Sequence, residues 1–536
     1  MLHHPRRLVR RLRLPLALVV AVVGLALVAP VASPFASPFV GPGTDPRPGS
    51  SADASTTGSG SPLPGTATTA GRGTSVAGER PNVVMVLTDD MRKDDMRHMP
   101  HVRELLVDRG MTFRQAQSPH PLCCPARAEI LSGQYAQNNG VHHNSGPYGG
   151  WQAFDPRSTI ATWAQDEGYR TALHGKHLNH FEEGSPADPG WTNFDILIEP
   201  ATDYANFDFF GGTSYRNDYV TTRLDQRTVS DLERWAGPTP YLVMANHVAP
   251  HIWMPRSARG DGDGDRGGRP PKVAPEHKRA LARLEPAAFK APSFNEADMS
   301  DKEKGVRTRA KLSRREMSTL NLARIRSLLS VDDAVKHLVD TLRETGELDN
   351  TYIVFTSDNG YALGEHRFTG KDRLSDEILD VPLVVRGPGV PAGKKSDRLV
   401  SLVDLTATLT SLMDLSPDIT LDGEDFSDTL LGGRATHRRD TMLIQTGGKA
   451  TGVRDPGWTY RGVLTERYAY GRRVNDRLSD GFLYDRAQDP YELRNLIRSK
   501  RYAPVRRELE RRLRALGDCA GNECNRHFGR IPTPRG

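Results

Sequence analysis

Four cysteines in 536 residues are too few for a fold held together by disulfides. Long apolar runs are missing too. The most apolar stretch, Leu16–Ala29, has fourteen residues and is closed by Pro30, short of the ~20 that a bilayer-spanning helix needs. Positive charge is scarce where it would matter. The net charge is +6, but five arginines precede residue 14, and from Arg494 onward twelve Lys/Arg face four Asp/Glu. Residues 14–80 balance, so the body from 81 to 493 is left at −7. An acidic body lacks the basic face of a nucleic-acid binder. Internal repeats are absent as well.

What is present suits a folded protein. Hydrophobic residues at 37% and charged residues at 26% allow a sizeable core and exclude wholesale disorder. At ~150 residues per domain, the length fits one large domain or two to three ordinary ones. The arginine-rich start followed by Leu16–Ala29 reads as an export leader within residues 1–36, either a signal peptide or an uncleaved anchor. Residues 37–80 are rich in Pro, Gly, Ser and Thr, the composition of a flexible linker. The chain is therefore expected to be secreted or associated with the cell envelope.

From Pro81 onward, short apolar runs alternate with helical patterns, which predicts an α/β fold on a largely parallel sheet. Val83–Leu87, Tyr169–Leu173, Tyr241–Ala245, Tyr352–Thr356 and Val381–Val385 read as strands. Helices are expected at Val102–Arg109, Pro125–Leu131, Ser158–Glu167 and Leu320–Thr345. Beyond about residue 436 the pattern is strand-rich and closes with a basic helix near Val505–Leu516. Polar clusters follow strand after strand: Asp89-Asp90, Lys176, His251 and Asp358-Asn359. Ligands of open α/β sheets bind at the carboxyl ends of the strands. That convergence is the first sign of a site.

Cys123-Cys124-Pro125-Ala126-Arg127 opens a predicted helix, where free N–H groups and the dipole favour an anion. Alone the string is not specific, because a buried small hydrophobe or a disulfide partner would fit it too. Asp89, Asp90, Asp358 and Asn359 offer the hard oxygen donors that calcium prefers. Asp89-Asp90 could equally be a polar strand end, and Asn359-Gly360 a hairpin turn.

In combination these strings resemble the sulfatase family. Cys123-x-Pro125-x-Arg127 is similar to the signature whose first cysteine is oxidised to formylglycine; Ala126 stands where the family usually has serine. Pro81–Asp90, Leu131–Val141, Thr356–Lys371, Val381–Val390 and Leu483–Leu496 resemble successive family segments, so the likeness runs from 81 to 496. It implies an alkaline-phosphatase-like α/β sandwich with a mainly parallel central sheet, in a catalytic domain at 81–435. A smaller C-terminal α+β subdomain with an antiparallel sheet and the basic helix would follow at 436–536.

The resemblance also implies a site. Cys123 would be converted to formylglycine (3-oxoalanine) by a formylglycine-generating enzyme. One Ca2+ would be held by Asp89, Asp90, Asp358, Asn359 and the modified Cys123. Catalysis would fall to Cys123, Arg127, Lys176, His251, Lys371 and Asp358. Gly175-Lys176-His177-Leu178-Asn179 departs from the Gly-Lys-Trp-His of many sulfatases and is closer to the Gly-Lys-Tyr-Leu-Asn of N-acetylglucosamine-6-sulfatases; Ser293–Asp298 leans the same way. His177 is thus a secondary site candidate. The implied activity is hydrolysis of sulfate monoesters, on a sulfated sugar such as N-acetylglucosamine 6-sulfate or on aryl sulfates. Alternatives are a phosphate or phosphonate ester hydrolase of the same superfamily, or an unconverted binder of sulfated glycans. No nucleic acid is expected as a partner, and a membrane only through the possible anchor. Cys519 and Cys524, five apart in an exported chain, are expected to pair, one of three pairings that four cysteines allow.

Overall fold

Val83–Leu87 is apolar without alternation, and a strand of that kind must be covered on both faces. In the structure, a computed structural model, this is strand β1 (Asn82–Thr88), and all its residues are buried. The structure describes residues 80–535 except 200, 254–267, 283, 434–437, 449–456 and 475–479. The expected leader, the linker up to residue 79 and the expected boundary at 435–436 lie outside the described residues.

Successive side chains of a strand point to opposite faces, and β1 shows it. Val83, Met85 and Leu87 enter one core, Val84 and Val86 the other. Seven more strands complete the central sheet: β2 (Met111–Gln117), β3 (Arg170–Lys176), β4 (Asn193–Leu197), β5 (Tyr241–Asn246), β6 (Thr351–Ser357), β7 (Leu383–Arg386) and β8 (Lys394–Ser401). Their order is β8-β2-β7-β6-β1-β5-β3-β4. All run the same way except β7, which is antiparallel to both β2 and β6. The parallel register sets Thr88 beside Ser357, Leu87 beside Asn246, and Gly175 beside Asn246. The chain therefore leaves β1, β3, β5 and β6 along one edge.

Helices cover both faces. α1 (Cys123–Ser132), α2 (Ile160–Asp166) and, further along the chain, Val403–Met413 put Ile130, Trp163 and Leu409 into the first core. α3 (Val220–Trp235) and α4 (Arg314–Glu344) put Leu224, Leu232, Leu328 and Val335 into the second. α4 runs unbroken for 31 residues and starts six residues before the expected Leu320. Ser313 sets that start, accepting the Glu316 N–H at 3.3 Å, the bond expected of an N-cap serine. The helix expected at Val102–Arg109 instead begins at Pro100 and passes into one π turn, with Asp108 N bonded to Arg103 O at 2.9 Å.

The C-terminal region is a four-stranded antiparallel sheet of β9 (Met442–Gly447), β10 (Trp458–Leu464), β11 (Tyr468–Arg473) and β12 (Gly481–Asp485). The helix Ala503–Gly517 packs Val505, Leu509, Leu513 and Leu516 against Val463, Tyr470 and Leu483. Cys519 and Cys524 are joined by a disulfide in this core, while Cys123 and Cys124 are free and buried. Among the described residues no helix is long and apolar enough to cross a membrane.

Candidate active site

The site lies where β1, β3, β5 and β6 end. Asp89 and Asp90 follow β1 directly. The Asp89 N–H bonds Ala249 O at 3.2 Å, which ties this turn to the chain leaving β5. Asp90 has φ +71°, a left-handed conformation uncommon for a residue with a side chain. Its N–H is held by Asp358 Oδ1 at 3.1 Å. Cys123 opens α1, whose ten residues are all buried and whose preceding residue, Leu122, supplies no side-chain cap. Asn144 Oδ1 accepts the Cys124 N–H at 2.8 Å.

Around the Cys123 sulfur, Asp89 Oδ1 lies at 3.3 Å and Lys371 Nζ at 3.0 Å. Lys371 also donates to Asp90 Oδ1 at 2.6 Å, and Lys176 Nζ donates to Asp89 Oδ2. Arg127 gives Nε to Asp358 Oδ2 at 2.9 Å and Nη1 to Lys176 O at 2.7 Å. Asn359 Nδ2 donates to Asp90 Oδ1 at 2.7 Å. His251 Nδ1 is 2.6 Å from Ile252 O, which assigns its proton there. The other nitrogen, Nε2, lies 3.7 Å from Asp90 Oδ2. Every one of these side chains is buried. Three carboxylates face three cations, the pairing that buried charge requires.

Burial works against the charge of Asp89, but Lys176, His251, Arg127 and Lys371 outweigh it and hold the carboxyl below its usual range. Asp358 goes the other way. Burial and then the Asp89 charge push it up to about 7, against the pull of Arg127. Burial, then Asp89, raises the Cys123 thiol, so the unmodified side chain is a neutral thiol and a poor nucleophile. Burial and then Lys371 lower His251.

The donors fit a hard cation. Ligand atoms of Asp89, Asp90, Cys123 and His251 lie within 4.8 Å of one another. Asp90 Oδ2 and Asn359 Oδ1 are buried without a hydrogen-bond partner, a costly state that a bound cation would relieve. With Asp89 and Asp358 they form the oxygen-rich set that suits calcium or magnesium.

The structure thus brings together Asp89, Asp90, Cys123, Arg127, Lys176, His251, Asp358, Asn359 and Lys371. His177 is held elsewhere. Its Nε2 lies 2.8 Å from Asp188 Oδ2, and its ring meets Phe181 and Phe194 edge-on. Sequence reasoning missed Asn144, and also Ser118, whose hydroxyl donates to Asp358 O at 2.6 Å. It missed Arg324 too, which donates to Asp90 O. The available signal for Arg324 was a charge on the apolar stripe of an amphipathic helix; Asn144 and Ser118 carry none.

Comparison with known proteins identifies the family. The family profile described as Sulfatase matches residues 81–415, and one described as N-sulphoglucosamine sulphohydrolase, C-terminal, matches 364–518. The chain is 30% identical over 410 residues to the N-acetylglucosamine-6-sulfatase of Homo sapiens, covering 72% of this chain and 70% of that protein. It is 31% identical over 393 residues to the extracellular sulfatase SULF-1 homolog of Drosophila melanogaster, covering 69% of this chain but spanning only 33% of that protein's length. A solved structure described as a complex with its substrate D-glucosamine-2-N,6-O-disulfate superposes with a TM-score of 0.65 at 22% identity, over 81% of this chain and 97% of that one. With its cysteine at the mouth of α1, its ring of paired charges and a family profile spanning more than half its length, the chain belongs to the sulfatases, the sulfuric ester hydrolases.

Proposed function

We propose that the chain hydrolyses sulfate monoesters of sugars, using formylglycine made from Cys123 and one calcium ion held by Asp89, Asp90, Asp358, Asn359 and the modified residue. The observation that carries this reading is the close packing of Lys371, Asp89 and Asp90 against Cys123 in a buried, charge-balanced pocket. When present, the hydrated aldehyde supplies an oxygen nucleophile and the cation supplies Lewis-acid stabilisation.

The chain's own residues do the rest. Lys176, Lys371 and Arg127 gather the sulfuryl oxygens and offset the charge that builds on them in the transition state. Asp358, anchored by Arg127, accepts the proton of the attacking group. His251 presents Nε2 to the leaving oxygen, because Nδ1 is committed to Ile252 O.

A sugar is favoured by Gly175–Asn179 and Ser293–Asp298, and by the relative named N-acetylglucosamine-6-sulfatase. The leader, and the word extracellular in the name of the fly relative, support export. A formylglycine-generating enzyme is then the maturation partner. The test joins two measurements: the mass of the peptide containing Cys123, and turnover of N-acetylglucosamine 6-sulfate beside p-nitrophenyl sulfate and p-nitrophenyl phosphate. Conversion with sulfate turnover supports the reading. Preference for the phosphate ester makes the chain a phosphate or phosphonate hydrolase, and an intact thiol without turnover leaves a glycan binder.

A further inference from the structure

Arg324 sits on the core side of α4, between buried Leu320 and buried Leu328, and is itself 0% exposed. A guanidinium taken out of water must find partners. Two of its donors go to backbone: Nη2 to Asp90 O at 2.5 Å and Nη1 to Pro250 O at 3.3 Å. Asp95 Oδ2, 3.5 Å from Nη2, supplies the counter-charge. The guanidinium carbon lies over the Tyr361 ring, 4.2 Å from its centroid.

These contacts belong to three separate segments. Asp90 follows β1. Pro250 immediately precedes His251, beyond β5. Tyr361 stands two residues after Asn359, beyond β6. One buried side chain therefore touches the two loops that carry the Asp and Asn ligands of the proposed calcium pocket and the loop that carries its acid. It also holds the carbonyl of the one proposed ligand whose backbone is left-handed, Asp90 at φ +71°. A strained residue keeps such a conformation only when its surroundings over-determine it.

We propose that Arg324 is a positioning residue that sets the spacing of Asp90 and His251, and so couples calcium binding to delivery of the leaving-group proton. The planar fork is what the geometry needs, since it reaches two carbonyls in fixed relation, whereas a lysine is a point donor. This inference rests on the calcium-dependent reading above.

Charge and position make opposite predictions here. Removing a cation near a metal pocket should tighten calcium by electrostatics alone. Removing a group that orients the ligands should loosen it, by roughly 10–100-fold for such outer contacts. The experiment is a calorimetric titration of calcium chloride into the chelator-treated full chain, in the parent, Arg324→Met and Arg324→Lys forms. Turnover of N-acetylglucosamine 6-sulfate and p-nitrophenyl sulfate is measured alongside. The expected result is calcium binding at least about tenfold weaker in Arg324→Met, partly recovered in Arg324→Lys, with the sugar ester losing more turnover than the aryl ester. Should Arg324→Met fail to fold, Arg324→Lys, which keeps charge and bulk, must still bind calcium more weakly than the parent. Unchanged or tighter binding in the folded variants overturns the proposal. A parent chain that binds no calcium overturns the metal reading first, and the proposal with it.

Discussion

Lys371 donates to the Cys123 sulfur across 3.0 Å, yet that thiol is held above its ordinary range. Burial and then Asp89 raise it, and Lys176 and Lys371 do not compensate. A lysine beside a cysteine ordinarily favours the thiolate; here the neighbourhood defeats it. The cation is better matched to the oxygens of a sulfate ester and of a converted side chain. Cys123→Ala should accordingly lower turnover by about 10^3-fold or more while the protein still folds. Cys124→Ala should keep most activity, because its sulfur packs in the core and its amide can still reach Asn144. Its loss is one of stability, about 1 kcal/mol. Steady-state kinetics and thermal melts on both variants check this, and the opposite ranking would refute it.

Asp90 Oδ2 and Asn359 Oδ1 accept no hydrogen bond in the buried pocket, which suits a hard cation. Asp89→Ala and Asp358→Ala should each cut turnover by about 100-fold or more. Chelator treatment of the parent should abolish activity, and added calcium should restore it. Recovery with zinc but neither calcium nor magnesium would contradict the oxygen-ligand assignment.

In the proposed mechanism His251 serves a leaving group that needs a proton. A sugar alkoxide leaves poorly without one, whereas an aryl oxide needs little help. His251→Ala should therefore lower kcat on N-acetylglucosamine 6-sulfate at least about tenfold more than on p-nitrophenyl sulfate. Equal losses on the two esters would remove the acid role.

Much of this was legible because the site sits at strand ends. An unbroken apolar run such as Val83–Leu87 followed at once by Asp89-Asp90 marks both a buried strand and the edge where ligands collect. Cys123, Pro125 and Arg127 were readable only through their resemblance to the sulfatase signature, since the string alone is not specific. Other features left no local trace. β8 opens with Lys394-Lys395-Ser396-Asp397-Arg398, which looks like a loop until its pairing with β2 is known. A four-residue run such as Leu383–Arg386 says nothing about direction, so the reversal of β7 was invisible. Asp90 is left-handed because Asp358 and Arg324, more than 230 residues away in sequence, bind its backbone. His177, adjacent to Lys176, is held by Asp188 and packs against Phe181 and Phe194, partners that spacing alone does not reveal.

A pH dependence is expected away from the proposed calcium pocket. His174, fully buried in β3, has Nε2 3.0 Å from Asp231 Oδ2 and Nδ1 3.2 Å from Asp195 Oδ2. Burial opposes its charge, but the hydrogen bonds to Asp195 and Asp231 prevail and raise its pKa. Asp195 is lowered, since His174 and Arg227 outweigh its own burial. A raised histidine contributes stability that is fully present below about pH 6.5 and is lost as pH climbs through the elevated folded value. A lowered aspartate contributes above about pH 3.9, and that part is lost as pH falls through the depressed value. The cluster thus stabilises the fold most between these limits, each tenfold gain in proton affinity of His174 being worth about 1.4 kcal/mol. His174→Asn should melt below the parent at pH 5.5, and the gap should narrow as pH rises to 9. Melts of both proteins across that range decide it: a gap independent of pH would mean that folding leaves the His174 pKa unshifted, and a gap that widens as pH rises would mean that His174 is kept neutral in the fold.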